Sequence, residues 1–224
     1  GQLRGYPVQL QADAGIQGQA VTLRTLSASS DDTRLTASGR ADQTLDLRFS
    51  LDSPNLGALL PEAEGLLRVD GSVGGSLQAP AIDLTLDGRD IELNGQGIAQ
   101  LRGRADVGLG PGGAFSIDID GENLIAGGQR FETVSVDGTG SMSAHRLGVA
   151  LTGPALGVDL GAEGGLGEAG AYRGSLQQLT LASNEFGTWA LQQPAPFALE
   201  GSNIQAGPLC IGNGADSGAC VRFR

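Results

Sequence analysis

The chain of 224 residues has a formal net charge of −11, with 14 basic residues against 25 acidic ones, and 40% of its residues are hydrophobic. This balance argues against binding to a nucleic-acid backbone, which needs clustered cations, and the hydrophobic content is too high for a chain that stays disordered. No run approaches the roughly 18 consecutive apolar residues of a membrane-spanning helix. The length is compatible with one β-domain.

Apolar and polar residues alternate along much of the chain, and this pattern predicts β-strands. It is seen in VQLQADA (8–14), TLDLRFSL (44–51), FSIDID (115–120) and RLGVAL (146–151). Alternation puts one apolar and one polar face on each strand. The sequence therefore predicts a sheet with one face in water.

Glycines recur along the chain at similar but irregular intervals. They lie 15 to 18 residues apart, at Gly71, Gly88, Gly103, Gly121, Gly138 and Gly153. Aspartate precedes four of these glycines, and Asp-Gly suits tight hairpin turns. We therefore expect these glycines to end strands and the strands to be joined by short antiparallel connections.

The segment DSPNLGALLPEAEG breaks the alternation and predicts a short helix near residues 53–60. Ser53 can cap the helix, Pro54 suits its first turn and Pro61 ends it after about two turns. Three leucines share one side of this helix. We expect it to pack on the sheet as a plug or flap.

The two cysteines, Cys210 and Cys220, lie on either side of a turn sequence and have apolar neighbours. This pattern predicts a hairpin closed by a disulfide, which contributes about 2 to 3 kcal/mol by restricting the unfolded chain. A disulfide indicates an oxidising compartment, and two reduced cytosolic cysteines are the alternative. Without a second pair of ligands this spacing is a poor zinc site.

Motifs for catalysis are weak in this sequence. GLGPGG (108–113) and GLGEAG (165–170) match a dinucleotide-binding pattern, but no helix follows to meet a phosphate, so both are interpreted as turns. The single histidine, His145, has no G-x-S-x-G partner motif and is expected to be a solvated loop residue. We expect no enzyme, no cofactor and no metal site.

The segment NLGALLPEAEGLLRVDGSVGGSLQAPAIDLTLDGRDI resembles the TamB family, the periplasmic AsmA-like proteins of Gram-negative bacteria built from repeating β-groove units. The features that carry the resemblance are an Asn-Leu pair, a leucine-rich turn with Pro61, then Gly65, an alternating strand, Gly71-Ser72-Val73, Gly75, Leu77, Pro80, Ile82, Leu84 and Leu86. The later FGTWALQQPAPFALEGSNIQAGPLCI is similar to the family as well. The likeness covers roughly residues 45–212.

This resemblance implies a taco-shaped β-sheet in an inter-membrane bridge, the translocation and assembly module, which conducts phospholipids between the inner and outer membranes. It implies a periplasmic location, an inner-membrane anchor on the full-length protein and an Omp85-type outer-membrane barrel as partner. The alternative it implies is a scaffold or chaperone-like factor in outer-membrane protein assembly and autotransporter secretion. Residues 1–224 are then expected to be a single β-groove segment from the middle of a larger periplasmic protein, in contact with flanking segments of the same chain.

The sequence and the resemblance together predict an all-β fold, in which a long curved antiparallel sheet forms an open, taco-like hydrophobic groove. An uncovered aliphatic strip of this length exceeds what soluble monomers tolerate, and acyl chains can cover it with a gain of about 0.8 kcal/mol for each buried methylene. We expect acyl chains to contact the following groove residues. They are Leu47, Phe49, Leu67, Val69, Ile82, Leu84, Leu86, Val107, Ile117, Ile119, Val136, Val149 and Leu151.

Two interpretations from other functional classes stay open at the level of sequence. A structural or adhesive β-module would pack the same aliphatic residues against a second sheet. A carbohydrate-active enzyme would need two carboxylates at catalytic spacing, which 25 acidic residues can supply in many ways. Sugar sites in β-folds usually stack aromatic rings, however, and aromatic residues make up only 4% of this chain.

Overall fold

The structure is a computed structural model and describes residues 2–3, 6–18, 20–60, 62–110, 112–167, 170–201, 203–214 and 217–223. In this part of the chain the regular elements are β-strands and one turn of 3-10 helix, Leu56–Ala58. The strands are β1 (Gln2–Leu3), β2 (Tyr6–Gln17), β3 (Ala20–Ser30), β4 (Thr33–Ala41), β5 (Leu45–Ser53), β6 (Ala63–Ser76), β7 (Ala79–Leu93), β8 (Gln96–Gly108), β9 (Ala114–Ala126), β10 (Gln129–Ser141), β11 (Ala144–Thr152), β12 (Leu156–Leu166), β13 (Tyr172–Ser183), β14 (Gly187–Leu191), β15 (Ala195–Glu200), β16 (Asn203–Gly212) and β17 (Gly218–Phe223).

Strands β2 to β17 form one antiparallel sheet, and β1 pairs with β2. From β2 to β13 each strand pairs with the strand before it and the strand after it in the chain. The short strands β14 and β15 both lie between β13 and β16, so together they form one strand position that is interrupted at residues 192–194. The predicted all-β fold with a curved, groove-like antiparallel sheet is confirmed.

The hairpin turns do not lie at the Asp-Gly pairs, so the prediction that the six glycines end strands is wrong for five of them; Gly153, which directly follows β11, does end a strand. Asn94 and Gly95 make the turn between β7 and β8 with φ of 52° and 74°, the combination that a tight hairpin turn requires. Gly88, by contrast, lies inside β7 opposite Leu67 of β6 and Leu101 of β8. Gly71, Gly103, Gly121 and Gly138 are also strand residues with partners on both sides.

These strand glycines make room for large side chains of neighbouring residues to lie flat on the sheet. A Cβ placed on Gly121 would lie 2.5 Å from Cδ1 of Ile98, and one placed on Gly88 would lie 2.6 Å from Cδ1 of Ile91. A Cβ on Gly138 would lie 2.8 Å from Cε1 of Phe115. Each of these strand glycines is covered by a side chain from elsewhere in the sheet. The glycines recur at similar intervals because successive strands have similar lengths and each places one glycine beneath such a side chain.

A line of irregular backbone crosses strands β6 to β9 near one end. The register shifts between Glu64 and Leu66 around Gly65, which has a φ of 103°. Asp90 and Asn123 lie on the same line with φ of 48° and 55°, and neither is paired in the register. Bulges of this kind bend strands and increase their twist. The line therefore lets the sheet curl instead of staying flat.

The segment 54–60, called here the plug, connects β5 to β6, and the strand ends beside it are called the plug end of the sheet. The predicted helix is present as a single 3-10 turn and is shorter than expected. Asn55 caps it, with its Oδ1 accepting a hydrogen bond of 3.0 Å from the backbone N–H of Gly57. Ser53 is still in β5, where its hydroxyl bonds Thr33 Oγ1 at 2.8 Å and donates to the Asn55 carbonyl at 3.2 Å. Pro61 lies outside the described residues.

Very few side chains are fully buried. Among the described residues the buried hydrophobic ones are Leu56, Ala58, Ala63, Phe131 and Ala195, and the largest side chain with less than 2% exposure is Ser53. The accessible surface is 13709 Å², whereas a compact protein of this mass has about 9,500 Å². The extensive contacts lie between paired strands. The sheet is therefore not covered by a second layer in the part of the chain that the structure describes.

The outer face of the sheet carries a row of alternating charges. The residues of this row are directly opposite one another in successive strands and are Arg34, Asp52, Arg68, Asp87, Arg102 and Asp120. Nε of Arg68 lies 3.2 Å from Asp52, and Nε of Arg102 lies 3.5 Å from Asp87. Each exposed pair contributes less than about 1 kcal/mol, and the opposite-charge pairs of this row favour the observed register.

Replacing Gly65 by alanine tests the curl of the sheet. The new Cβ would overlap the carbonyl oxygens of Arg89 and Asp90, which are backbone atoms and cannot rotate away. We expect Gly65→Ala to lower the free energy of unfolding by about 3 kcal/mol, measured by urea titration with circular dichroism. The matched control is Gly18→Ala, because Gly18 also has positive φ but no atom within 4 Å of the added Cβ. Equal losses of about 1 kcal/mol in both variants would contradict the role of Gly65.

Candidate functional site

The register places every predicted groove residue on the same face of the sheet, called here the trough face. Residues paired across antiparallel strands point to the same side. One such row runs from Phe49 through Gly71, Leu84 and Ala105 to Ile117. Neighbouring rows contain the other members of the set. They are Leu47, Leu67, Val69, Ile82, Leu86, Val107, Ile119, Val136, Val149 and Leu151.

All of these residues are half-buried; none is fully buried and none is fully exposed. Neighbours on the same sheet cover their sides, and their tips face an open space. In a closed sandwich the same positions would be buried, because a second sheet would cover them. The trough face is therefore an unroofed apolar surface.

The trough face extends beyond the residues that alternation predicted. On β3 and β4 it includes Leu26 and Leu35, and on the later strands it includes Leu160, Leu179 and Ile211. Along β2 to β13, the trough-face positions that the structure describes hold no Asp, Glu or Arg side chain. The charged side chains of those strands lie on the outer face or in the turns. An apolar ligand can therefore lie along the trough without contacting a charged side chain.

Four rings form a row on the trough face, at the end of the strands opposite the plug. Phe115 stacks on His145 with ring centres 4.7 Å apart, Tyr172 lies 5.5 Å from His145, and Phe197 lies 5.9 Å from Tyr172. Glycines of adjacent strands lie below the rings, since a Cβ on Gly174 would be 2.6 Å from Cζ of Phe197. The row adds a flat aromatic section to an otherwise aliphatic face.

His145 is not the solvated loop residue that the sequence predicted. It lies in β11, where it is 8% exposed. Nδ1 is 3.0 Å from the carbonyl of Ser141, which only accepts, so the proton on Nδ1 donates to it. Nε2 is 2.8 Å from the hydroxyl of Tyr172. Both ring nitrogens therefore have partners, which is what allows a polar ring to be buried on this face.

The disulfide joins Cys210 and Cys220, which are directly opposite each other in β16 and β17. The neighbouring residues Leu209 and Ile211 point to the other side of β16, onto the trough face. The bond therefore holds the last hairpin of the sheet together from outside the trough.

The described residues include no group of three or more His, Cys, Asp or Glu that could hold a metal ion. These residues also contain no helix that is long and apolar enough to cross a membrane.

Burial raises the pKa of Tyr172 above its ordinary value. The folded chain keeps the phenol proton to higher pH than the unfolded chain, so the stability from this group is present below about pH 10 and is lost as pH rises through the folded pKa. We expect the urea midpoint of the wild type to fall above about pH 10 more steeply than that of Tyr172→Phe. Parallel pH profiles of the two proteins would contradict this expectation.

One family model matches nearly the whole chain. Its description is "TamB, N-terminal domain", and it matches residues 1–221. The expectation of a segment from the middle of a larger protein stays a prediction. No solved structure matches the chain. The match supports a TamB-type role in membrane assembly or transport in the bacterial envelope. The chain belongs to the TamB family.

Proposed function

We propose that the trough face binds phospholipid acyl chains, and that the chain is a periplasmic segment of a bridge that conducts phospholipids between the inner and outer membranes. The observation that carries this proposal is the unroofed trough face, which is apolar and free of Asp, Glu and Arg from β2 to β13 in the described residues. Such a surface exceeds what a soluble monomer leaves to water. Acyl chains are the occupants that fit it best.

The dimensions of the sheet support a conduit. At about 4.8 Å between strands, the strand positions from β2 to β17 span on the order of 65 Å along the curve of the sheet. A lipid that moves along this distance exchanges one set of aliphatic contacts for an equivalent set. On the open part of the trough each methylene keeps its gain of about 0.8 kcal/mol, so this part of the path has no strong apolar barrier.

The proposed role is not enzymatic, because moving a lipid along a trough breaks no covalent bond. The net charge of −11 lies mainly on the outer face and in the turns, where it keeps the exterior in water. The membrane anchor and the Omp85-type barrel partner belong to this proposal for the full-length protein.

A role in outer-membrane protein assembly is the second candidate, and the edge of the sheet supports it. In the described residues β17 pairs only with β16, so its other edge has free backbone groups that can pair with a strand of a client protein. An inert structural module is less well supported. It requires a filled interior, and the described residues do not form one.

The substitution Leu84→Arg tests lipid binding in the middle of the trough. Leu84 is half-buried on β7, and an arginine there can reach the open space, so the sheet still folds. An unpaired guanidinium among acyl chains costs about 2.5 kcal/mol or more, so we expect bound phospholipid to fall by at least about tenfold. Mass spectrometry of lipids retained by the purified protein measures the loss.

The matched control is Thr85→Arg, which adds the same charge at the next residue but on the outer face. Its lipid content is expected to equal that of the wild type. Loss of folding in Leu84→Arg with normal folding of Thr85→Arg would favour a closed core. Equal lipid content in all three proteins would refute binding in the trough.

A further inference from the structure

The trough deepens into a pocket at the plug end of the later strands. The pocket has a volume of about 710 Å³, within the range of small-molecule binding sites. Its apolar lining includes Leu156, Leu181, Phe186, Trp189 and Ile211. Leu181 and Trp189 are direct partners across β13 and β14 on the trough face. None of these residues was among the predicted groove residues.

Hydrogen bonds between two turns hold the pocket walls in place. Asn184, in the turn after β13, donates from its side chain to the carbonyl of Pro154, in the turn before β12. Its backbone N–H donates to the carbonyl of Ala155 at 3.4 Å. Trp189 donates from Nε1 to the carbonyl of Phe186 at 3.0 Å, so the indole is fixed, whereas Phe186 itself is 68% exposed. Both walls therefore exist before any ligand arrives.

We propose that this pocket retains the terminal part of one phospholipid acyl chain. This inference rests on the proposed function, and it assigns one site in the trough where a lipid dwells longer than elsewhere. The polar residues at the pocket are Gln129, Ser183, Asn184 and Glu185, and no arginine lines it. A phosphate or a free carboxylate finds no cation there and meets the carboxylate of Glu185. The headgroup therefore stays outside, and the hydrocarbon end enters.

The pocket retains the end of an acyl chain because it contacts that end on several sides. A chain on the open trough is covered from one side, whereas a chain end in the pocket also contacts the two turns and the aromatic rings. Each additional methylene that is removed from water strengthens binding by about fourfold. We therefore expect the dissociation of a lipid from this site to be slower, by about tenfold or more, than dissociation from the open trough.

Trp189 is the only tryptophan of the chain and reports directly on the pocket. The chain is mixed with vesicles of phosphatidylcholine that carries bromine either near the terminal methyl group or near the carbonyl group of the acyl chain. Bromine quenches indole fluorescence at contact. We expect terminal bromine to quench Trp189 by at least half and bromine near the carbonyl to quench it several-fold less.

Filling the pocket is the second arm of the experiment. In Ala155→Phe a ring occupies the pocket, and we expect the difference between the two bromine positions to disappear and the slowly dissociating lipid to be lost. The matched control is Ala182→Phe, which adds the same ring on the outer face of β13, beside Leu181 but on the other side of the sheet, and keeps the quenching difference. Ala219→Leu is a milder filler from β17, for use if Ala155→Phe does not fold.

The outcomes separate this inference from the function on which it rests. If no lipid binds to the wild type at all, the proposed function is refuted together with the site. If lipid binds but the two bromine positions quench equally, or if the pocket-filling variants leave the quenching difference and the slow dissociation unchanged, only the retention site is refuted.

Discussion

The antiparallel register is the constraint on which the rest of this structure depends. Paired residues share a face, so one consistent register across the sheet collects Phe49, Leu84 and Ile117 on the trough side. A slip of one residue in a strand would turn its aspartates and arginines into the trough. The alternating row from Arg34 to Asp120 adds pairings of opposite charge in this register. The inner face therefore stays apolar as long as no strand slips by an odd number of residues.

The described residues form little hydrophobic core, so the stability of the sheet comes from contacts between neighbouring strands. Large side chains lie over strand glycines, as Ile98 does over Gly121, and bury apolar area within a single layer. The most complete burial is beneath the plug, where Ser53 and Thr33 share a hydrogen bond. The row of four rings and the disulfide stabilise two further parts of the sheet. Stability is therefore distributed along the sheet, as it is in repeat proteins, and does not depend on one centre.

Alternation in the sequence predicted which residues share a face. Side chains alternate between the two faces along every strand, whatever its register with its neighbours, so the local sequence is enough to predict this. The strand glycines were misread, because Asp-Gly is equally compatible with a turn and with a strand position whose side chain faces water. The burial of His145 depends on Phe115 and Tyr172, which are distant in sequence and meet only through pairing. The pocket escaped prediction for the same reason, since separate turns and strands build it. Contact of the trough residues with lipid stays a prediction.

The confinement of extensive contacts to paired strands has a consequence for how such a protein changes in evolution. A compact domain that gains two strands must repack its interior, and most insertions fail there. Here an extra hairpin spliced into a turn would need only two compatible edges, and the remaining strands would keep their partners. The glycines and aliphatic residues of such a hairpin would extend the trough face by about 10 Å, twice the strand spacing. The length of the sheet can therefore be adjusted by the duplication of hairpins alone.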